Sequence, residues 1–157
     1  MIYYITIYYS FEQEIKERDM VFQKNHVVET KKYGQMTDLT PWVQLAVEES
    51  QLRNGIVNVF NVGSTACIGT IEFEPGLMED LPEQLSRLFP PGRHYAHEQT
   101  WHDGNGHSHL QATLMGPGIT VPFKDKKLVL GVWQQIFHLE CDIKPRKRDI
   151  VITVMGE

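Results

Sequence analysis

The sequence predicts a single compact α+β domain, a mainly antiparallel β-sheet or sandwich with two principal helices. Two observations carry this prediction. The chain has 157 residues, of which 41% are hydrophobic and 22% charged, and this composition is typical of one globular domain with its own core. Strand-like segments outnumber helical segments, and no internal repeat is present.

The first twenty residues look like an appendage to that domain. Residues 2–9 are almost all β-branched or aromatic, which predicts a strand, and residues 11–20 are charged and roughly helical. Residues 26–30 are the next predicted strand.

The first principal helix is predicted to begin at Thr40-Pro41, a capping hydroxyl followed by a proline in the first turn. Asn54-Gly55 is expected to end it in a left-handed cap. Residues 56–62 then form an almost wholly apolar run, which predicts an interior strand.

Residues 66–74 are predicted to form another strand, which ends at the turn Pro75-Gly76. The second principal helix follows over residues 77–89, because four leucines recur there at helical spacing: Leu77, Leu81, Leu85 and Leu88. Pro82 is expected to kink this helix or to mark its true start.

Residues 92–108 show little apolar periodicity. The rest of the chain alternates short apolar runs with turns, which predicts strands over residues 110–114, 119–123, 128–131, 134–142 and 149–155.

Charge and cysteine content limit the function classes. The formal net charge of -5 disfavours binding to nucleic acid or to an anionic membrane. The most apolar stretch, residues 1–9, is far shorter than a membrane span and lacks a leading basic residue, so we expect neither signal peptide nor anchor. Two distant cysteines, Cys67 and Cys141, suit free thiols in the cytoplasm.

Four of the seven histidines lie within 13 residues: His97, His102, His107 and His109. Neutral imidazole is a common ligand of Zn²⁺, and three imidazoles with one open position form a Lewis-acid site. If Asp103–Gly106 is a hairpin loop, His102 and His107 face each other, and His107 and His109 point to one side. The alternative is that these histidines are polar surface residues of a glycine-rich loop.

Several other polar residues are candidates for the same site. Glu140 in an apolar strand and Asp103 in the loop could transfer protons beside a metal ion, and the amide of Gln134 could orient a ligand. The dense basic run at residues 144–148 is either a solvated turn or a contact for phosphate.

Several motifs together resemble the YjbQ family. They are Gly63-Ser64-Thr65-Ala66, the segments at residues 71–76 and 95–97, the whole of residues 101–109, and residues 130–135 followed by Glu140. The resemblance covers residues 25–157 and leaves residues 1–24 outside it. Many members have a histidine where this chain has Gly63; His97 and His109 match the wider pattern, and His102 and His107 are candidates to compensate.

Members of that family are commonly named secondary thiamine-phosphate synthases. The resemblance implies a homotrimer with a histidine-rich site that forms thiamine phosphate from phosphorylated pyrimidine and thiazole precursors. We therefore expect a metal-assisted enzyme, with zinc as the expected ion, that acts on a phosphorylated small molecule. The alternative is a non-catalytic trimeric module that binds a metal ion or an anion.

Overall fold

The structure is a computed structural model and describes residues 20–157. The strand predicted for residues 2–9 and all but the last residue of the helix predicted for residues 11–20 lie outside the described residues. The described part of the chain contains eight strands and three α-helices. In chain order they are β1 (Val21–Glu29), β2 (Met36–Asp38), α1 (Thr40–Glu49), β3 (Gly55–Val62), β4 (Ala66–Ile71), α2 (Pro75–Leu88), α3 (Gly106–Met115), β5 (Gly118–Lys124), β6 (Lys127–Leu128), β7 (Gln135–Glu140) and β8 (Lys147–Gly156).

The strands form two antiparallel sheets. The larger sheet has the order β1-β8-β3-β5-β6, and the smaller sheet has the order β2-β7-β4. The α+β class and the antiparallel pairing predicted from the sequence are thereby confirmed. Among the described residues no helix is long and apolar enough to cross a membrane.

Two apolar clusters hold these layers together. The larger cluster joins one face of the five-stranded sheet to α1 and to the inner face of the small sheet, where Ile68 and Ile136 lie. The second cluster joins the other face of the small sheet to Leu85 of α2 and Met115 of α3. The small sheet is therefore covered on both faces, which explains why β7 is an apolar run rather than an alternating one.

Helix α1 begins where the sequence predicts but ends five residues before Asn54. Ser50 caps the end of this helix. Its backbone N–H donates a hydrogen bond to the carbonyl of Ala46, and its hydroxyl donates to the carbonyl of Val47. Gln51 then takes a left-handed φ of 60°, and Leu52 enters the core with 3% of its surface exposed. The Asn54-Gly55 pair instead leads into β3.

Strand β4 is shorter than predicted because Glu74 caps α2. Its carboxylate accepts hydrogen bonds from the backbone N–H groups of Gly76 and Leu77, at 2.7 and 2.6 Å. Helix α2 therefore begins at Pro75, and it keeps Pro82 within its length. The strand predicted over residues 128–131 is reduced to the two residues of β6.

The largest correction concerns residues 103–115. The predicted hairpin loop at residues 103–106 and the predicted strand over residues 110–114 are both wrong, because α3 occupies Gly106–Met115. Its buried residues are Gly106, His107, Ser108, Gln111 and Ala112, whereas Leu110 and Leu114 are exposed. The helical periodicity is therefore carried mainly by polar residues, which a hydrophobic pattern does not register.

Candidate active site

A cavity of about 370 Å³ lies where the β3–β4 turn, the loop before α3 and the segment between β7 and β8 meet. Eleven residues line it: Gly63, Ser64, Thr65, His97, Trp101, Asp103, Asn105, His109, Asp142, Arg146 and Arg148. Concave polar surfaces that combine histidine, carboxylate and arginine side chains are typical of ligand sites.

The loop that carries Asp103 and Asn105 is fixed by Glu98. Its two carboxylate oxygens accept hydrogen bonds from the backbone N–H groups of Gly104, at 2.7 Å, and Gly106, at 3.0 Å. These two bonds lower the pKa of Glu98 below its ordinary value. Glycine is required at position 106, because a Cβ there would lie 2.7 Å from Cβ of Tyr95.

His97, Asp103 and His109 come together on one side of the cavity. The rings of His97 and His109 have centroids 4.6 Å apart, and Nε2 of His97 lies 3.5 Å from Oδ1 of Asp103. Those two atoms are buried, and neither has a hydrogen-bond partner among residues 20–157. Burial and then the neighbouring His97 lower the pKa of His109, so its ring is neutral at pH 7.

Beneath the cavity lies a buried ion pair between Glu140 and Arg148. Glu140 is 0% exposed and Arg148 is 7% exposed. Nε of Arg148 donates to Oε2 of Glu140 at 2.8 Å, and Nη2 donates to Oε1 of the same carboxylate. The hydroxyl of Thr30 and the backbone N–H of Asp142 also donate to Glu140, both at 2.8 Å. Both carboxylate oxygens are therefore fully engaged.

A second pair, Asp142 and Arg146, lies next to the first. Oδ2 of Asp142 accepts from Nη2 and Nε of Arg146, at 2.7 and 3.0 Å, and from the hydroxyl of Thr65 at 3.1 Å. Burial alone raises the pKa of Asp142, but the bonds from Arg146, from the N–H of Lys144 and from Thr65 outweigh it and lower the pKa. Asp142 is therefore ionised at pH 7.

The structure separates the other predicted site residues from this cluster. His102 is exposed, has a φ of 54° and lies in a neighbouring surface depression with Arg93 and His94. His107 is 1% exposed and packs beside Tyr33 and Tyr95. The expected facing of His102 and His107 across a hairpin is therefore wrong.

Gln134 lies at the opposite end of β7 from Glu140. Its amide donates to the hydroxyl of Thr70, and its carbonyl accepts from the N–H of Gly131. Glu140 lies six positions further along the extended chain, a span of about 20 Å. Within one copy of the chain Gln134 does not reach the cavity.

Sequence reasoning did not select Thr65, Asn105 or Asp142 as site residues, and it left Arg146 and Arg148 open. The signal for the arginines was present in the basic run at residues 144–148, where a solvated turn was one of two alternatives. Arg146 is half-exposed against the cavity and Arg148 is buried at the start of β8. Asn105 is 5% exposed, and its Oδ1 has no partner among the described residues.

The side chains around the cavity do not match the ligand arrangement of a zinc site. Within residues 20–157 no three His, Cys, Asp or Glu side chains are arranged to hold a metal ion. Of the four histidines predicted as ligands, only His97 and His109 approach each other, and the two rings are tilted by 53°. The described residues therefore do not form a ready three-ligand site.

Comparison with known proteins places the chain and its fold in a family. Residues 24–157 match the model of the UPF0047 protein YjbQ-like family. A UPF0047 protein of Archaeoglobus fulgidus is 37% identical over 128 residues, which cover 82% of this chain and 97% of the relative. A UPF0047 protein of Methanothermobacter thermautotrophicus is 36% identical over 137 residues, which cover 87% and 94%.

Solved structures give the same result. A YbjQ-like protein of unknown function from Sulfolobus solfataricus superposes with a TM-score of 0.82 at 36% identity, over 87% of this chain and 98% of that one. A hypothetical protein from Aeropyrum pernix gives a TM-score of 0.80 at 31% identity, over 87% and 99%. The chain belongs to the UPF0047 (YjbQ-like) family.

Proposed function

We propose that this chain is an enzyme that binds a phosphorylated small molecule in the cavity around His97 and His109. The reaction class is a group transfer of the kind implied by the name secondary thiamine-phosphate synthase. One observation carries the proposal: the unpartnered Nε2 of His97 faces the unpartnered Oδ1 of Asp103 in a cavity that two arginines also line. Unsatisfied buried polar atoms in a cavity are typical of a site that completes its hydrogen bonds with ligand.

His97 and Asp103 are the proton-transfer pair in this proposal. The imidazole of His97 and the carboxylate of Asp103, 3.5 Å apart, together take a proton from one ligand atom and return it to another. His109 lies beside His97 as a neutral ring and is positioned to hydrogen-bond the ligand rather than to compete for the proton.

Glu140, which the sequence favoured as the proton acceptor, has a different place in the proposal. Its oxygens accept four hydrogen bonds and it is fully buried, so it has no free lone pair directed to a ligand. Its contribution is to hold Arg148 under the cavity. Asp103, the other predicted proton carrier, keeps that role.

The zinc ion remains a prediction and enters no step of the proposed reaction. If His97 and His109 do bind it, residues 20–157 contain no third His, Cys, Asp or Glu already arranged to complete the site. Metal analysis of tag-free protein would test this, because His109→Ala should then lower the metal content without unfolding the chain. Full metal content in His109→Ala would contradict a ligand role for this residue.

The homotrimer and the cytoplasmic location expected from the sequence are part of the same proposal. Both cysteines are free and buried, which agrees with a reducing compartment. The loop after β6 exposes Val132 and Trp133, at 87% and 70%, and an apolar loop of this kind suits contact with a second copy.

Turnover of the phosphorylated pyrimidine and thiazole precursors tests the proposal. We expect His97→Gln and Asp103→Asn each to lower kcat by about a hundredfold, which is typical of a positioned acid or base. His94→Gln and Asp80→Asn are matched controls, because both side chains are exposed and lie outside the cavity. If the native chain binds a phosphorylated ligand but turns nothing over, the non-catalytic binding module is the better description.

A further inference from the structure

We propose that Arg148 and Arg146 form a phosphate subsite in the floor of the cavity, and that Gly63 determines access to it. The identity of the ligand rests on the proposed function. The subsite itself rests on three features of this chain: an unoccupied guanidinium edge on Arg148, a missing side chain at Gly63, and a second guanidinium held beside the first.

Arg148 is fixed by its buried partners on two of its three nitrogens. Nε and Nη2 are bound by Glu140, and Nη2 also donates to the hydroxyl of Thr65 at 2.9 Å. Nη1 makes no hydrogen bond within residues 20–157, although Arg148 lines the cavity. A guanidinium held on two sides presents its third nitrogen in a fixed direction, which is the geometry that oxyanion recognition requires.

Gly63 leaves this nitrogen uncovered. A Cβ at position 63 would lie 3.1 Å from Nη1 of Arg148 and 3.3 Å from Nδ2 of Asn61. The φ of Gly63 is outside the left-handed region, so the backbone does not require glycine here. The absence of a side chain instead provides space beside Nη1, and any larger residue would fill it.

Arg146 supplies the second set of donors. Its Nε and Nη2 are held by Oδ2 of Asp142, while its side chain is 41% exposed at the cavity. Arg146 and Arg148 are each paired with a carboxylate, so the subsite has little net charge. It therefore binds an anion through directed N–H donors, with two arginines able to serve separate oxygens of one tetrahedral group.

The ligand chemistry that fits is a phosphate monoester or the terminal phosphate of a diphosphate. Ser64 and Thr65 lie at the same edge of the cavity, and their turn connects β3 to β4. The carboxylate of Asp103 also lines the cavity and opposes the negative charge of the ligand. A ligand must therefore place its phosphate toward Arg146 and Arg148, and its reacting part toward His97 and Asp103.

Calorimetric titration of the full chain with inorganic phosphate, and separately with pyrophosphate, tests the subsite. We expect Gly63→Ala to weaken binding by at least about tenfold, because the methyl group occupies the space beside Nη1. Gly131→Ala is the matched control, since its Cβ would meet only Gln134 at 3.7 Å. Tighter binding of pyrophosphate than of phosphate would identify the ligand class as a diphosphate.

A second variant keeps the test independent of the crowding at Gly63. Arg146→Met retains the aliphatic stem and removes the donors, and we expect the same loss of about tenfold or more. Arg53→Met is its control, because Arg53 is exposed and pairs with Asp125 outside the cavity. Thermal unfolding of each variant shows whether it is folded.

Two results would overturn the subsite. One is native-like phosphate affinity in folded Gly63→Ala and Arg146→Met, and the other is no binding by the native chain at about 10 mM phosphate or pyrophosphate. Neither result bears on proton transfer, which the turnover of His97→Gln and Asp103→Asn measures separately.

Discussion

The ion pair between Glu140 and Arg148 lies at the floor of the site. Both are charged and both are buried, and the pair joins β7 to β8 directly below the cavity. Placing two charges away from water costs free energy that only their mutual contact and full hydrogen bonding offset. The cost of removing one partner is therefore larger than the gain from the intact pair.

We expect Glu140→Gln to lower the free energy of unfolding by about 3 kcal/mol, because it removes the carboxylate that binds two nitrogens of the buried Arg148 and leaves only Asp142, at 3.9 Å, as a countercharge. Urea denaturation at pH 7 measures this loss. Glu29→Gln is the control, because Glu29 pairs with Lys147 on the surface, where both side chains are more than half exposed. A stability loss no larger than that of Glu29→Gln would contradict the structural role given to Glu140.

His138 is a second buried residue with a measurable consequence. It lies in β7 between Phe137 and Leu139, is 0% exposed, and neither ring nitrogen has a hydrogen-bond partner among the described residues. Burial lowers its pKa to about 4, with Arg148 acting in the same direction and Glu140 opposing it. The folded chain therefore favours the neutral ring, whereas the unfolded chain titrates near 6.5.

The stability of the folded chain therefore depends on pH through His138. Between pH 6.5 and 4 the unfolded chain binds a proton that the folded chain excludes, so stability is complete above pH 6.5 and falls as the pH is lowered. The total loss from this residue is about 3 kcal/mol. Urea denaturation at pH 7, 5.5 and 4.5 should show a shallower decline for His138→Gln than for the native chain. Equal declines in the two proteins would remove His138 as the cause.

At the scale of elements, strands and helices with an apolar pattern could be predicted and α3 could not. Strands β3, β5 and β8 match their predicted positions because their alternating or continuous apolar runs are decided by burial. Helix α3 buries His107, Ser108 and Gln111, whose burial depends on contacts distant in sequence, such as that of Gln111 with Tyr33. The position of Asp103 beside His97 depends on this helix and on Glu98. The apolar pattern of the sequence therefore could not predict that contact either.

Glu98 accepts hydrogen bonds from the backbone N–H of Gly106, the first residue of α3, and of Gly104 before it, so we expect Glu98 to fix the start of this helix. Glu98→Ala removes the acceptor of the Gly104 and Gly106 amides, so we expect both amides to exchange with solvent at least about tenfold faster. The loop that carries Asp103 should loosen, and turnover should fall together with that of Asp103→Asn. Glu79→Ala on α2 is the control, since Glu79 lies away from this loop. Unchanged exchange in Glu98→Ala would show that the helix start is fixed by other contacts.

At the scale of the whole molecule, the described chain leaves apolar surface uncovered. Phe60 and Val62 are exposed on the outer face of the five-stranded sheet, at 42% and 54%, and Val132 and Trp133 extend from the loop after β6. Exposed apolar side chains suit contact between copies, and the closed ring of identical copies that the family resemblance implies would cover them with a single repeated contact. Gln134 follows Trp133 in the same loop. If this loop lies in the interface between copies, the interface also fixes the distance from Gln134 to the cavity of the neighbouring copy.

The homotrimer that the family resemblance implies predicts that sedimentation equilibrium at micromolar concentration gives about three times the chain mass of 18.2 kDa. We expect Trp133→Glu to shift the protein toward the monomer, because a buried carboxylate in an apolar contact has no countercharge. Leu88→Glu is the matched control at the end of α2, where Leu88 is 62% exposed. A native chain that sediments as a monomer would rule out the trimer. A trimer unaffected by Trp133→Glu would exclude the loop after β6 from the interface and would keep Gln134 away from any neighbouring cavity.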